Sequence, residues 1–218
     1  VIKMFESCLD AMGRMGAVIV DPVDVLHPKK FRKTEMAVLY YEFKADLNKY
    51  LASTKAPVRT LAEVIEFNEK NKDRVMPYFG QEHMETAQKT GSLGDKKYRD
   101  ALAKNHRLAR KEGIDKTMRA YKLDAIVAPS GGPSWIIDLV NGDTIGWGIE
   151  SDSLPAVAGY PNITVPVGYI FGLPVGISFF AKAWQEPILI KLAYAFERAT
   201  RIRKPPEFLP TADLKTLA

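Results

Sequence analysis

Asn162-Ile163-Thr164-Val165-Pro166-Val167 and Val175-Gly176-Ile177-Ser178-Phe179-Phe180 are the two runs whose reading decides the fold. Both are short and apolar, and they are joined through Gly168 and the turn residues Gly172-Leu173-Pro174, so they read as strands. Just upstream, Ser153-Leu154-Pro155-Ala156-Val157-Ala158-Gly159 fits a short helix, with Ser153 as its cap and Pro155 soon after. Downstream, Glu186-Pro187 opens a further helix, proline being tolerated at its first position. That helix directs Ile188, Leu189, Leu192, Ala195, Phe196 and Ala199 inward, and Pro205-Pro206 ends the regular structure.

Working back, Ala125-Ile126-Val127-Ala128 is a third strand, closed by Pro129. A long glycine-rich loop follows, holding Trp135, Asp138, Asp143 and Trp147. Long loops without regular structure are usually functional or disordered, and tryptophans among glycines favour function. At the start, Ile2, Phe5, Leu9 and Met12 repeat at helical spacing up to Gly13 and Gly16. Ala17 to Val20 then reads as a buried strand stopped by Asp21-Pro22. A helix feeding a strand, with no strand before it, implies a partner strand further upstream.

The region between is helical. Met36, Leu39, Tyr40, Phe43, Leu47, Tyr50 and Leu51 form one apolar stripe. Thr60-Leu61-Ala62-Glu63 is a capping-box pattern, in which the threonine oxygen takes one free amide and the glutamate reaches back to another. Gln81 to Thr90 predicts a short helix, and Asp95 to about Tyr121 a longer one interrupted at Gly113. The strand runs are apolar on both sides rather than alternating, which places them inside a sheet covered on both faces. The fold class expected is α/β.

The chain of 218 residues is 46% hydrophobic and 26% charged, ordinary values for a globular protein. No run approaches the roughly 18 apolar residues of a membrane span. The first residues lack the pattern of a signal peptide. The formal charge of +5 raises the question of a nucleic-acid partner. Most basic residues, however, are interleaved with acidic ones, and the tight run Lys29-Lys30-Phe31-Arg32-Lys33 lacks an aromatic stacking surface. A solvated face is the better account. One cysteine, Cys8, gives neither an internal disulfide nor a metal cluster, and its apolar setting reads as a buried bystander.

The blocks already quoted resemble the C-terminal signature of amidase-signature enzymes. Ser153 to Gly168, Gly172 to Phe180 and the Glu186 to Thr200 helix carry the likeness, and Leu123-Asp124-Ala125-Ile126-Val127-Ala128-Pro129 matches the strand before the family's substrate-side loop. Tyr41 to Leu51 and Phe79-Gly80-Gln81-Glu82 are similar to the peptide-amidase branch in particular. The resemblance implies the C-terminal part of a single domain with a mixed sheet wrapped by helices. It also implies an acyl-transfer hydrolase using a serine nucleophile, a second serine in a cis peptide and a neutral lysine, without metal or cofactor. Those groups belong to the family's N-terminal half, and no matching lysine region or Gly-Ser-Ser-Gly-Gly loop occurs here. No catalytic residue is assigned in this chain. The partners expected are the N-terminal half of the same enzyme and a small amide or amidated peptide. The other reading is a non-catalytic binding or scaffold module that kept half of the fold.

Candidate substrate-binding residues are Gly131, Trp135, Asp138, Asp152 and Ser153. Ser130-Gly131-Gly132 superficially resembles a nucleophile loop but lies between Pro129 and Pro133 after the wrong strand, so a pocket-lining turn is the better reading. Trp135 and Asp138 suit a pocket wall, and a tryptophan there suits core equally. For Asp152 and Ser153 a substrate-recognition role and a helix cap stand side by side. Arg110 lies where some relatives hold a substrate-binding arginine, although an exposed helix arginine is the simpler expectation. His27, His83 and His106 have no metal-ligand spacing and no serine elbow beside them.

Overall fold

The computed structural model describes residues 1–142 and 151–208. They fall into two compact units, one comprising Val1–Pro28 with the chain from Arg107 onward, the other Lys29–His106. Among the described residues no helix is long and apolar enough to cross a membrane.

The first helix, α1 (Ile2–Arg14), buries Cys8 and Met12 and stops before Gly16, whose φ of 95° is open to glycine. Ala17 to Val20 is not a strand. It makes no ladder among the described residues, and Val18 is 90% exposed. Apolar composition favours a strand there, but a strand needs a neighbour for its backbone groups, and among the described residues these have none.

The helical unit holds α2 (Arg32–Ser53), α3 (Leu61–Lys70), the single turn α4 (Lys72–Val75), α5 (Glu82–Gln88) and α6 (Lys96–His106). Val38 and Tyr41 of α2 pack against Tyr98 and Ala101 of α6, with the two tyrosine rings 5.6 Å apart. The expected stripe is only half right, because Leu39, Phe43 and Tyr50 are exposed. Polar residues take part of the inner surface instead. Tyr98 donates to Glu42 at 2.7 Å, which with burial pushes its phenol up to about 12. Lys44 donates to the carbonyls of Gln88 and Thr90 at the end of α5, where a cation also meets the helix dipole. Asn48 accepts from the amide of Leu61 at 2.7 Å. Apolar periodicity is blind to such anchors.

The capping box is present with a shifted return bond. Thr60 accepts from the amide of Glu63 at 3.2 Å, while the Glu63 carboxylate accepts from Arg59 rather than from Thr60 itself.

In the sheet unit, residues Arg107–Ile114 form a π-helix that leads into α7 (Asp115–Ala120). The expected interruption is at Gly113, whose φ and ψ of −102° and −108° are not helical. A Cβ there would lie 2.7 Å from the carbonyl oxygen of Leu108, so the backbone folds back where only glycine fits. Three strands follow: β1 (Ile126–Pro129), then β2 (Asn162–Ile170) and β3 (Leu173–Phe180), with α8 (Ser153–Ala158) ahead of β2. Their order is β1-β3-β2, and both pairings are antiparallel. Ile177, Ser178, Phe179 and Phe180 are all buried, as expected of a strand covered on both faces. β2 departs from that expectation, because buried Val165 and Val167 alternate with exposed Thr164. The last helix, α9 (Glu186–Thr200), has its proline at the start and buries Leu189, Ala193 and Phe196. Phe196 meets Phe179 edge-on at 6.1 Å.

Two stability changes follow from this packing. Thr60→Ala removes the cap of α3 and should cost about 0.5–2 kcal/mol in chemical denaturation. Gly113→Ala forces its new methyl against the Leu108 carbonyl and should cost about 1–3 kcal/mol. An unchanged denaturation midpoint in either variant would contradict the corresponding contact.

Candidate functional site

β1 ends at Pro129, but its ladder runs one residue further, since the amide of Ser130 donates to the carbonyl of Gly176 at 2.9 Å. There the strands bring three hydroxyls together. Thr164 of β2 lies opposite Ser178 of β3, and their oxygens are 2.9 Å apart. Ser130 reaches the same Ser178 oxygen at 2.8 Å and stands 3.3 Å from Thr164. Gly176 makes this possible: a Cβ at that position would lie 2.6 Å from the Thr164 methyl and 2.8 Å from the Ser130 oxygen. Ser178 is only 1% exposed, Ser130 is half-buried and Thr164 is open to solvent. Neither hydroxyl partner of Ser130 is a base, so this contact does not activate a nucleophile.

Gly131 follows directly and opens the loop carrying Trp135 and Asp138. Trp135 is 48% exposed, and Ile136, Ile137, Leu139 and Val140 beside it are exposed as well. Asp138 organises the loop's own turn. It accepts from the amides of Val140 and Asn141 at 2.8 and 2.9 Å, and from the Asn141 side chain at 2.9 Å. Those bonds, led by the Asn141 amide, hold its carboxyl below the usual range. Asp143 and Trp147 lie outside the described residues.

Asp152 and Ser153 stand at the other end of the loop, where α8 begins. Asp152, rather than Ser153, is the cap: its Oδ1 accepts from the amide of Ser153 at 2.8 Å. Ser153 is the first helical residue and is half-buried, while the preceding Ser151 is buried and its oxygen has no protein partner among the described residues. The far end of α8 is latched to the π-helix. Arg110 Nε donates to the carbonyl of Ala158 at 2.7 Å, and its guanidinium lies 5.8 Å from the Tyr160 ring centre. Tyr160 donates to the Asp115 carboxylate, 3.1 Å from each oxygen. Burial, then the Asp115 charge, raises the phenol's pKa. Gly159 closes α8 with φ 65°, a conformation suited to glycine. Arg110 is therefore half-buried and holds α8, in place of the exposed arginine expected.

Sequence reading missed Thr164 and Ser178, although a polar residue at matching places in two apolar runs was the available signal. His83 accepts or donates at Nδ1 with the Tyr40 hydroxyl, 2.7 Å away. No group of three or more His, Cys, Asp or Glu among the described residues is placed to hold a metal. Two shallow concavities of about 420 and 440 Å³ lie beside α1 and on the helical unit, and neither is lined by the five candidate residues.

Comparison with known proteins supplies the family. The chain is 37% identical over 216 residues to a probable amidase of Arabidopsis thaliana, covering 95% of the chain and 38% of that protein. It superposes on a peptide amidase crystallised with the competitive inhibitor chymostatin at a TM-score of 0.87 with 44% identity, spanning 94% of the chain and 42% of that enzyme. The native peptide amidase of Stenotrophomonas maltophilia gives a TM-score of 0.85 with 42% identity, over 94% of the chain and 41% of that enzyme. The chain thus spans about two fifths of the length of these relatives. The family model for amidases matches residues 1–190, and the chain belongs to the amidase family, the amidase-signature enzymes.

Proposed function

We propose that this chain is the C-terminal portion of a single-domain, peptide-amidase-like amide hydrolase, contributing sheet and substrate-pocket wall. The observation that carries this reading is the match of 94% of the chain to a peptide amidase at 44% identity. In this reading a serine outside these 218 residues attacks the amide carbonyl. A second serine relays its proton toward a neutral lysine, and the leaving nitrogen departs as ammonia. Water then releases the acid from the acyl-enzyme. Substrates are C-terminally amidated peptides or other primary amides.

The role of the chain is to shape the pocket. Gly131 offers bare backbone at the exit of β1, and Trp135 with its exposed apolar neighbours offers a surface for side chains of the substrate. Asp138 holds the loop in one turn. Ser153 stands half-buried at the start of α8, which Asp152 caps, and in this reading it adds a hydroxyl to the pocket.

The N-terminal half is the expected partner, completing the sheet beside strands that cannot cover their own edges. The polypeptide alone should release no ammonia from a primary amide, whereas co-expression with the N-terminal half should restore soluble, active protein. Turnover by the isolated chain, abolished by changing one of its own serines, would overturn this assignment. A monodisperse, cooperatively folding monomer of the chain alone would overturn the shared sheet.

Asp152 and Ser153 should separate in the intact enzyme. Asp152→Ala should lower stability by about 0.5–2 kcal/mol, as loss of a cap does. Ser153→Ala, which removes no cap, should lower kcat/KM with the denaturation midpoint little changed. Unaltered kinetics in Ser153→Ala would remove that residue from the pocket.

A further inference from the structure

We propose that Ser130 and Thr164 form a hydrogen-bonding subsite for a neutral amide group of the substrate, polarised by the buried hydroxyl of Ser178. The proposal rests on the amide-hydrolase reading above. Its physical basis is proton counting at three hydroxyls. Ser178 is 1% exposed and its oxygen lies 2.8 Å from Ser130 and 2.9 Å from Thr164. Its single proton must go to one of these two, because a buried hydroxyl with an unused proton is costly. The residue that receives this proton keeps its own proton free, and the other, which donates to Ser178, keeps lone pairs free.

The 3.3 Å separation between Ser130 and Thr164 is longer than an ordinary hydroxyl–hydroxyl bond, so their mutual contact competes weakly with a ligand. The more accessible side of the cluster, at exposed Thr164 and half-buried Ser130, therefore presents one donor beside one acceptor. An amide offers the complementary pair, a carbonyl and an N–H. A carboxylate offers only acceptors and would meet a lone pair at one of the two positions. The subsite thus selects amide over acid without using charge. Gly176 is part of the design, since any side chain there would occupy the space of both the Ser130 oxygen and the Thr164 methyl.

The test uses the intact enzyme, with a C-terminally amidated dipeptide and the corresponding free acid as probes. Affinity is measured by calorimetry, KM and kcat by ammonia release, and folding by thermal denaturation. Thr164→Val and Ser130→Ala should each weaken amide binding about 3- to 10-fold, the loss of one neutral hydrogen bond, whereas affinity for the acid should fall in only one of the two, the variant that removes the donating hydroxyl. Thr164→Ser should restore amide binding. Ser178→Ala should reduce the preference for amide over acid while both outer hydroxyls remain; if that variant fails to fold, Thr164→Val and Ser130→Ala together decide. Equal weakening for amide and acid in both variants, or a drop in melting temperature with KM unchanged, would overturn the subsite and leave the hydrolase reading intact. A wild-type protein that neither binds nor hydrolyses the amide would overturn both.

Discussion

β3 is hydrogen-bonded along both edges, to β1 through Ile126–Pro129 and to β2 through Asn162–Ile170. Its backbone groups are thereby satisfied away from water, which allows Ile177, Phe179 and Phe180 to be buried together. α9 can then lay Leu189 and Phe196 down on a closed apolar surface. The same pairing sets which residues meet at the exit of β1. Slipping β2 by one residue would turn Thr164 to the opposite face and leave Ser178 with one partner fewer.

Much of this could be read in the chain before the structure. The helices α1, α3, α5 and α9 and the three strands lie close to where spacing, caps and turn residues put them. Ala17 to Val20 illustrates what composition leaves out, since four apolar residues make a strand only where a neighbour accepts their amides and carbonyls. The inner face of α2 illustrates another omission. Glu42, Lys44 and Asn48 bind Tyr98, the end of α5 and the start of α3, so polar side chains occupy positions that an apolar stripe would claim. Nor does spacing show that β1 pairs with β3 rather than with β2, the next strand in the chain.

The five candidate residues and the hydroxyl cluster differ in how they show in the sequence. Gly131, Trp135, Asp138, Asp152 and Ser153 stand out in the sequence because they lie in or beside a glycine-rich loop. The structure gives Asp138 and Asp152 local duties in the backbone they organise, one in a turn and one in a cap. The hydroxyl cluster depends on the pairing of three strands distant in sequence, so no local window contains it. Its one visible trace was a threonine and a serine where valine or isoleucine would have served.

The π-helical stretch Arg107–Ile114 has a consequence for how the sequence can change in length. A π-helix closes its rings between residues five apart rather than four, so it accommodates an inserted residue within a helix. Deleting one residue between Arg107 and Ile114 would let the backbone relax to the ordinary pitch and rotate the helical residues on the two sides of the deletion by about 100° relative to each other. A deletion between Arg110 and Asp115 would therefore rotate these two anchors relative to each other, and the bonds of Arg110 to the Ala158 carbonyl and of Tyr160 to Asp115 could not both be kept. Point substitutions along this stretch alter one contact at a time, whereas a single codon lost there would set the two anchors at the end of α8 against each other.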